Sequence, residues 1–346
     1  MKVLGIISSP DDPASRARII QYKPYLSGNG VILDYTYFKP LKESDPAPWT
    51  YKLKKISGIS EWRVSDLLKS AGRLPLLFSQ KGVDLIWQNR LIQIKHSFWE
   101  KRLTRPVIFD FDDAIWLNEG EKQVKDKIER SALVFAGNEY LAAYAKKYNP
   151  QVKVVPTVVD TDLLYPLGTQ TGKFIIGWIG TKSNFRYLES IMYPLKEFLR
   201  KEPDAQLMIV SSEMPGFIPA GDNQFVFRKW SASSENELIN GFTIGIMPLE
   251  DSVWTRGKCS YKFLQYLACG KPVIASPVGT NEKILKTATT GIAAVSHEQW
   301  LKALRELKHD PVMASMFGEN GLRLVRKEYS CAAWVNPIIS YMKSIR

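Results

Sequence analysis

The sequence predicts an α/β chain of two doubly wound domains, similar in size, that face each other across a cleft. Three observations lead there. Short apolar runs of strand length, rich in Val and Ile, alternate with helical patterns, as parallel sheets covered by helices require. The stretch PTVVDTDLLYPLGTQTGK (156–173) breaks that alternation with Pro, Gly and Thr and parts two halves of similar element count. The length, 346 residues, exceeds what a single core usually supports.

The first half offers the strands VLGII (3–7), VILDYTYF (31–38), VDLIW (83–87), VIFDF (107–111), LVFAG (133–137) and VKVVP (152–156). The second offers FIIGWIG (174–180), AQLMIVS (205–211), FVFRKW (225–230), TIGIMPL (243–249) and PVIASPV (272–278). Helical patterns lie between them over 14–26, 89–102, 138–147, 187–200, 235–241 and 260–268. The end, CAAWVNPIISYMKSIR, reads as a terminal helix kinked at Pro337. The division is therefore 1–163, 164–328, and a helix over 329–346 that crosses back to the first domain. In open sheets of this kind, ligands sit beyond the carboxyl ends of the strands, so the cleft is the expected site.

Composition narrows the class. Three cysteines, Cys259, Cys269 and Cys331, are too few and scattered for a disulfide framework or zinc cluster, which favours a reducing, cytoplasmic setting. MKVLGIISSPDD reads as a first strand rather than a secretion signal, and no stretch approaches ~18 consecutive apolar residues. Net charge is +12, and residues 39–105 hold 14 Lys/Arg against 6 Asp/Glu. That patch suits an anionic partner. No nucleic-acid motif appears. WTYKLKKISGISEWRVSDLLKSAGRL (49–74) interleaves aromatic and basic residues, as a membrane interface or anionic headgroup would favour, although a solvated helix face would read the same.

The candidate chemistry clusters in the second half. In RGKCSYKFLQYLACGKPVIASPVGTNEKI (256–284), a helix starting near Lys258–Ser260 aims free amides outward, with Arg256, Lys258 and Lys262 around that end. Such an arrangement suits phosphate. GWIGTKSN (177–184) follows a buried strand. There Gly177 and Gly180 permit tight turns, Asn184 is placed to cap a helix, and Lys182 and Arg186 add charge. Together these segments suit a diphosphate held by cations and amides without an obligatory metal. Trp230 ends a strand and is placed to flank a flat base, or simply to pack. In the first half, FDFDDAIW sets Asp110, Asp112 and Asp113 at a strand's carboxyl end, as acid/base groups or as capping groups. Alternation along the strand would send Asp112 and Asp113 to different faces. Arg16 and Arg18 follow the first strand; one can reach a cleft anion, and surface solvation is the plainer fate. The histidines His96, His297 and His309 stand apart, and no set at metal spacing appears.

At these residues the chain resembles the GT-B-fold retaining glycosyltransferases of family 4 (glycosyl transferases group 1). GKCSYKFLQYLACGKPVIASPVGTNEKI is similar to their nucleotide-binding signature. VIFDFDDAIW, AGNEYLAAYAKKY, VVPTVVDTDLLYP and IIGWIGTKSN follow the matching segments in order. The resemblance implies two Rossmann-like domains, the first binding an acceptor and the second a nucleoside diphosphate sugar (UDP- or GDP-sugar), with no further cofactor. It places Arg186 at the family's catalytic lysine and Thr181 where arginine is common, with Lys182 as a substitute. Lys262 falls at a basic position shared by members with the Cys-x-x-Lys block, which here includes Cys259. Two glutamates with seven residues between them are replaced by Gly257 and Gln265. Gln265 retains hydrogen bonding to a ribose, and Glu250 or Asp251 is left to contact the sugar. A first-domain histidine is replaced by Asp112 or Asp113, and the first-strand loop lacks the usual glycine pair.

The expectation is a retaining transferase in cell-surface polysaccharide or glycolipid assembly, at the inner face of the plasma membrane. Its partners would be the donor, a glycan or lipid-linked acceptor, and a membrane surface met by the basic first domain. Catalytic roles fall to Lys262, Arg186, Asp112 and Asp113. Substrate contacts fall to Gly180, Thr181, Lys182, Trp230, Glu250, Lys258, Cys259, Ser260, Gln265 and Arg16. The rival readings are a nucleotide-sugar epimerase on the same fold and a non-catalytic nucleotide- or glycan-binding protein.

Overall fold

Burial on both faces shapes the strands. β1 (Lys2–Ile7), β2 (Ile32–Tyr37), β3 (Leu85–Asn89), β4 (Val107–Phe111), β5 (Leu133–Ala136) and β6 (Val152–Val154) form one sheet in the order β2-β1-β3-β4-β5-β6. β7 (Phe174–Ile179), β8 (Ala205–Ser211), β9 (Phe225–Lys229), β10 (Ile244–Met247), β11 (Val273–Ala275) and β12 (Gly291–Ala293) form the second, ordered β12-β11-β10-β7-β8-β9. β5, β7 and β10 are buried at every position, hence their unbroken apolar sequence, while β3 and β4 are as deeply buried but carry Gln88, Asn89 and Asp110 toward their carboxyl ends. All described pairings of named strands are parallel. Each sheet reverses direction beside its first strand, at β1/β3 and at β7/β10, and so opens a crevice at the carboxyl ends there. The computed structural model describes residues 1–37, 73, 75–92, 99–168, 172–219 and 221–345.

Each sheet is cored on both faces. One cluster of the second domain gathers Trp178, Leu195, Phe198 and Trp300; the other gathers Phe242, Phe263, Tyr266 and Leu267. Tyr266 and Phe242 determine two glycines. A Cβ on Gly245 would stand 2.3 Å from the Tyr266 ring, and one on Gly177 would stand 2.0 Å from Phe242. Gly177 thus lies inside β7 to admit a ring, and not to make a turn as its sequence context suggested. The helix Cys331–Lys343 contains Pro337 and sends Val335, Ile338, Ile339 and Met342 into the first domain's cluster with Val3, Ile19, Tyr22 and Leu26.

Several expectations need correction. The 89–102 helical pattern is not a helix where it is described. Asn89 ends β3, Arg90 takes φ +60°, and Glu100–Arg102 is a single 3-10 turn. The 14–26 pattern splits into Pro13–Arg18, a 3-10 turn and Lys23–Ser27, and 187–200 splits into Phe185–Glu189 and Met192–Lys201. Pro24 and Pro194 each stand near the start of the second piece, where a missing N–H costs nothing but prevents one continuous helix. β12 was missed because it is three residues long and half exposed. The basic, aromatic stretch 49–74, apart from Arg73, and His96 lie outside the described residues.

Candidate functional site

The loop after β10 turns into the helix Tyr261–Ala268 through Ser260, which adopts a left-handed φ of 58°. Its hydroxyl donates to Asn281 Oδ1 at 2.6 Å and does not cap the helix. The amides of Tyr261, Lys262 and Phe263 therefore have no hydrogen-bond acceptor among the described residues. These are the orphan donors of a helix start, carrying partial positive charge. Lys262 leaves the first turn half-buried, and its Nζ has neither a hydrogen bond nor an ion pair among the described residues. It lies 6.0 Å from the Trp178 ring centre. A Cβ on Gly180 would meet its Cε at 2.8 Å, so the end of β7 runs directly against the lysine stem. Burial pushes the Lys262 ammonium down to about 7, Lys258 adds to the effect, and Asp113 opposes it.

The opposite wall comes from the first domain. Asp112 and Asp113 follow the end of β4, so strand alternation does not separate them. Arg90 Nη2 donates to Asp113 at 2.8 Å and to Asp112 at 3.3 Å. Burial opposes charge on Arg90, but Asp112, Asp113, Asp12 and Glu119 outweigh it and hold the guanidinium above its ordinary range. Burial also raises the Asp113 carboxyl, aided by Asp112 and opposed by Lys258, Arg90 and Lys262. Asp110, by contrast, is fully buried. It accepts from Arg18 at 2.8 and 3.2 Å and from Trp87 Nε1 at 2.9 Å. Arg18, read as a solvated residue, is 2% exposed and also donates to Val155 O at 2.8 Å. A buried carboxylate at the core end of β4 required it.

Contacts along one seam join the walls. Lys258 Nζ stands 3.7 Å from Asp113 Oδ1. Cys259 Sγ donates to Asp112 O at 3.2 Å, and a Cβ on Gly137 would lie 2.3 Å from that sulfur. Burial pushes the Cys259 thiol well up, which makes it a packing group. Asn138 caps the helix Glu139–Ala145 through its oxygen and donates its amide to Gly257 O at 3.0 Å. At the other end of the cleft, the Arg16 guanidinium lies 5.0 Å above the Trp230 ring and 3.5 Å from Glu235.

Other candidates lie apart from this group. Arg186 is 60% exposed, paired with Glu250 at 3.4 Å and with Tyr187 Oη at 2.6 Å. Lys182 is 72% exposed, on Glu213 at 3.0 Å. Thr181 is exposed and accepts from the Asn184 amide at 2.8 Å, and the Asn184 side chain makes no capping bond to the helix that follows. Arg256 turns outward onto Asp251 at 2.6 and 2.8 Å. Gln265 is 3% exposed, and its side chain makes no hydrogen bond among the described residues. Sequence reasoning missed Arg90, Asn138 and Glu235. A lone arginine at a strand end and a helix-capping asparagine carry no local signal of a partner far along the chain. His309 pairs with Glu202 and His297 lies against Tyr193; among the described residues no cluster could hold a metal.

This architecture is the GT-B fold of glycosyltransferases. Residues 173–310 match the family described as Glycosyl transferases group 1. Among solved structures, sucrose-phosphate synthase from Thermosynechococcus elongatus superposes with a TM-score of 0.70 at 15% identity, covering 99% of this chain and 98% of that one. Anabaena Alr3699/HepE in complex with UDP and glucose gives 0.68 at 12% identity, covering 99% and 100%. A glycosyltransferase from Rickettsia africae gives 0.70 at 13%, covering 99% and 98%. No curated protein matches the chain in sequence. No helix among the described residues is long and apolar enough to cross a membrane.

Proposed function

We propose that the protein transfers a sugar from a nucleoside diphosphate sugar to an acceptor hydroxyl, with retention at the anomeric carbon. The observation that carries this reading is Lys262, without an ion-pair partner among the described residues, beside three amides that have no acceptor among them, with Lys258 and Asp113 meeting across the cleft next to it. The donor diphosphate lies on those amides, with Lys262 and Lys258 compensating the charge that develops as the glycosidic bond to phosphate breaks. Arg186 and Lys182 reach the outer phosphate oxygens by leaving their surface partners Glu250 and Glu213. Gln265 is left to bond the ribose. Asp113, held by Arg90, takes the proton of the attacking hydroxyl and orients it for attack on the same face from which the diphosphate leaves, so that one displacement keeps the anomeric configuration. Closure of the two walls excludes water that would otherwise hydrolyse the donor. Anabaena HepE was solved with UDP and glucose, which supports a nucleoside diphosphate sugar as the donor class and leaves the base open.

The biological setting belongs to the same proposal: a cytoplasmic enzyme of polysaccharide or glycolipid assembly, meeting a lipid-linked acceptor at the membrane through its basic first domain. The test is transfer of labelled sugar from UDP- and GDP-sugars to glycan acceptors, with anomeric configuration read by NMR. A Lys262→Ala variant that binds nucleotide without turnover agrees with the mechanism, and unchanged turnover removes it. Conversion of the donor to an isomer without acceptor would identify an epimerase instead.

A further inference from the structure

Trp230 closes β9 at the carboxyl edge of the second sheet, its amide fixed on Ser211 O at 2.9 Å. Its indole Nε1 donates to Glu235 Oε1 at 2.8 Å. Glu235 is 7% exposed, and its other oxygen faces Arg16 Nη2 at 3.5 Å. Arg16 comes from the opposite domain, on the helix Pro13–Arg18 that follows β1. A flat, delocalised group from across the cleft thus lies on an aromatic face with its N–H edge toward a carboxylate. Gly180, which runs against the Lys262 stem, donates its amide to Val210 O at 3.0 Å, next to the Ser211 carbonyl that holds Trp230 at the carboxyl end of β8. The arrangement therefore borders the proposed diphosphate site.

We propose that Trp230 and Glu235 form a base-reading element selective for guanine, and that Arg16 fills it in the ligand-free protein. This rests on the nucleotide-donor reading above and deepens it to GDP-sugars. Guanine contains the same guanidine unit as arginine. Its N1–H and N2–H2 present two donors side by side, which one carboxylate accepts together while the ring stacks on the indole. Uracil offers a single N3–H flanked by two carbonyl oxygens, and adenine sets its amino group beside an acceptor nitrogen. Either base turns acceptors against the Glu235 carboxylate and leaves a nearly buried charge poorly paired. Stacking alone tolerates all three bases, so the discrimination lies in Glu235.

The experiment is titration calorimetry of GDP, UDP and ADP into the wild-type chain, Glu235→Gln and Arg16→Ala at one fixed salt concentration. Wild type is expected to bind GDP at least about tenfold tighter than UDP or ADP. Glu235→Gln keeps an acceptor for the Trp230 indole but replaces half the carboxylate with a donor. It should bring GDP to within about threefold of UDP through loss of GDP affinity. Arg16→Ala should tighten GDP by removing its competitor. Glu235→Ala repeats the comparison should Glu235→Gln melt early. UDP or ADP binding as tightly as GDP in wild type overturns the inference while leaving the donor reading intact, as does an unchanged base preference in both Glu235 variants. Weaker GDP binding in Arg16→Ala also overturns it, because Arg16 would then contact the ligand rather than vacate the site. Binding of no nucleotide by wild type removes the donor reading and this inference together.

Discussion

Lys258 and Asp113 face each other across the cleft, Nζ to Oδ1 at 3.7 Å, one from each domain and each about one-sixth exposed (15 and 16%). Asp113 is shared between that lysine and Arg90, which makes it the hub of the charged wall. Asp113→Asn keeps the shape and removes the charge. Transfer should fall by about 10²- to 10⁴-fold, the usual scale for losing a proton acceptor, while donor affinity changes only a few-fold. Steady-state kinetics checks this: a rise in KM without loss of kcat would instead make Asp113 a binding group.

The contact of Gly137 with Cys259 permits a packing prediction. A methyl at residue 137 would stand 2.3 Å from Sγ and 3.2 Å from the Asp112 backbone. The sulfur is held on the other domain and has little room to retreat. Gly137→Ala should cost about 1–3 kcal/mol by overpacking. Adding Cys259→Ala should recover part of that loss, because the clash is with the sulfur. Urea denaturation of the two single variants and the double variant measures the coupling. Simple additivity would mean that the two domains move apart at this seam.

A third prediction concerns the buried pair under the site. Arg18 satisfies both Asp110 oxygens where no water reaches. Arg18→Met leaves the carboxylate with the Trp87 indole as its remaining side-chain donor. The cost should be about 3–5 kcal/mol, far more than for an exposed pair such as Lys182 with Glu213. Arg18→Met combined with Asp110→Leu removes the stranded charge and should recover much of the loss. Chemical denaturation distinguishes the two, and near-wild-type stability of Arg18→Met alone would contradict the assignment.

The fold was legible because its strands announce themselves. LVFA and FIIGWI are apolar throughout, as burial on both faces of a parallel sheet requires. Helix breaks at Pro24 and Pro194 were visible as prolines but were read through. In the site, Lys258, Ser260 and Lys262 were legible because a helix start beside basic residues is a local pattern. Arg90, Glu235 and the burial of Arg18 were not, since each is defined by a partner at least 22 residues away or in the other domain. Charge alone did not tell Lys262, with no ion-pair partner among the described residues, from Arg186, paired on the surface with Glu250.

Lys262 should make nucleotide binding depend on pH. Burial and Lys258 push its ammonium down to about 7, below the ordinary lysine range, against the pull of Asp113. A bound diphosphate stabilises the charged form and raises that value. Below pH 7 the lysine is already protonated in both states, so affinity there is flat with respect to this group. Above pH 7 the free protein has lost the proton that the complex holds, so binding must take one up. Affinity should then fall by up to about tenfold per pH unit until the pH reaches the raised value in the complex. Donor sugars suit the measurement, because their diphosphate does not titrate near neutrality. Calorimetry at pH 8 in two buffers of different ionisation enthalpy should show uptake of close to one proton. In Lys262→Met the uptake and the slope should both vanish, with affinity lower at pH 7 than in wild type. An unchanged slope in that variant would assign the titration to another group and take Lys262 out of the diphosphate site.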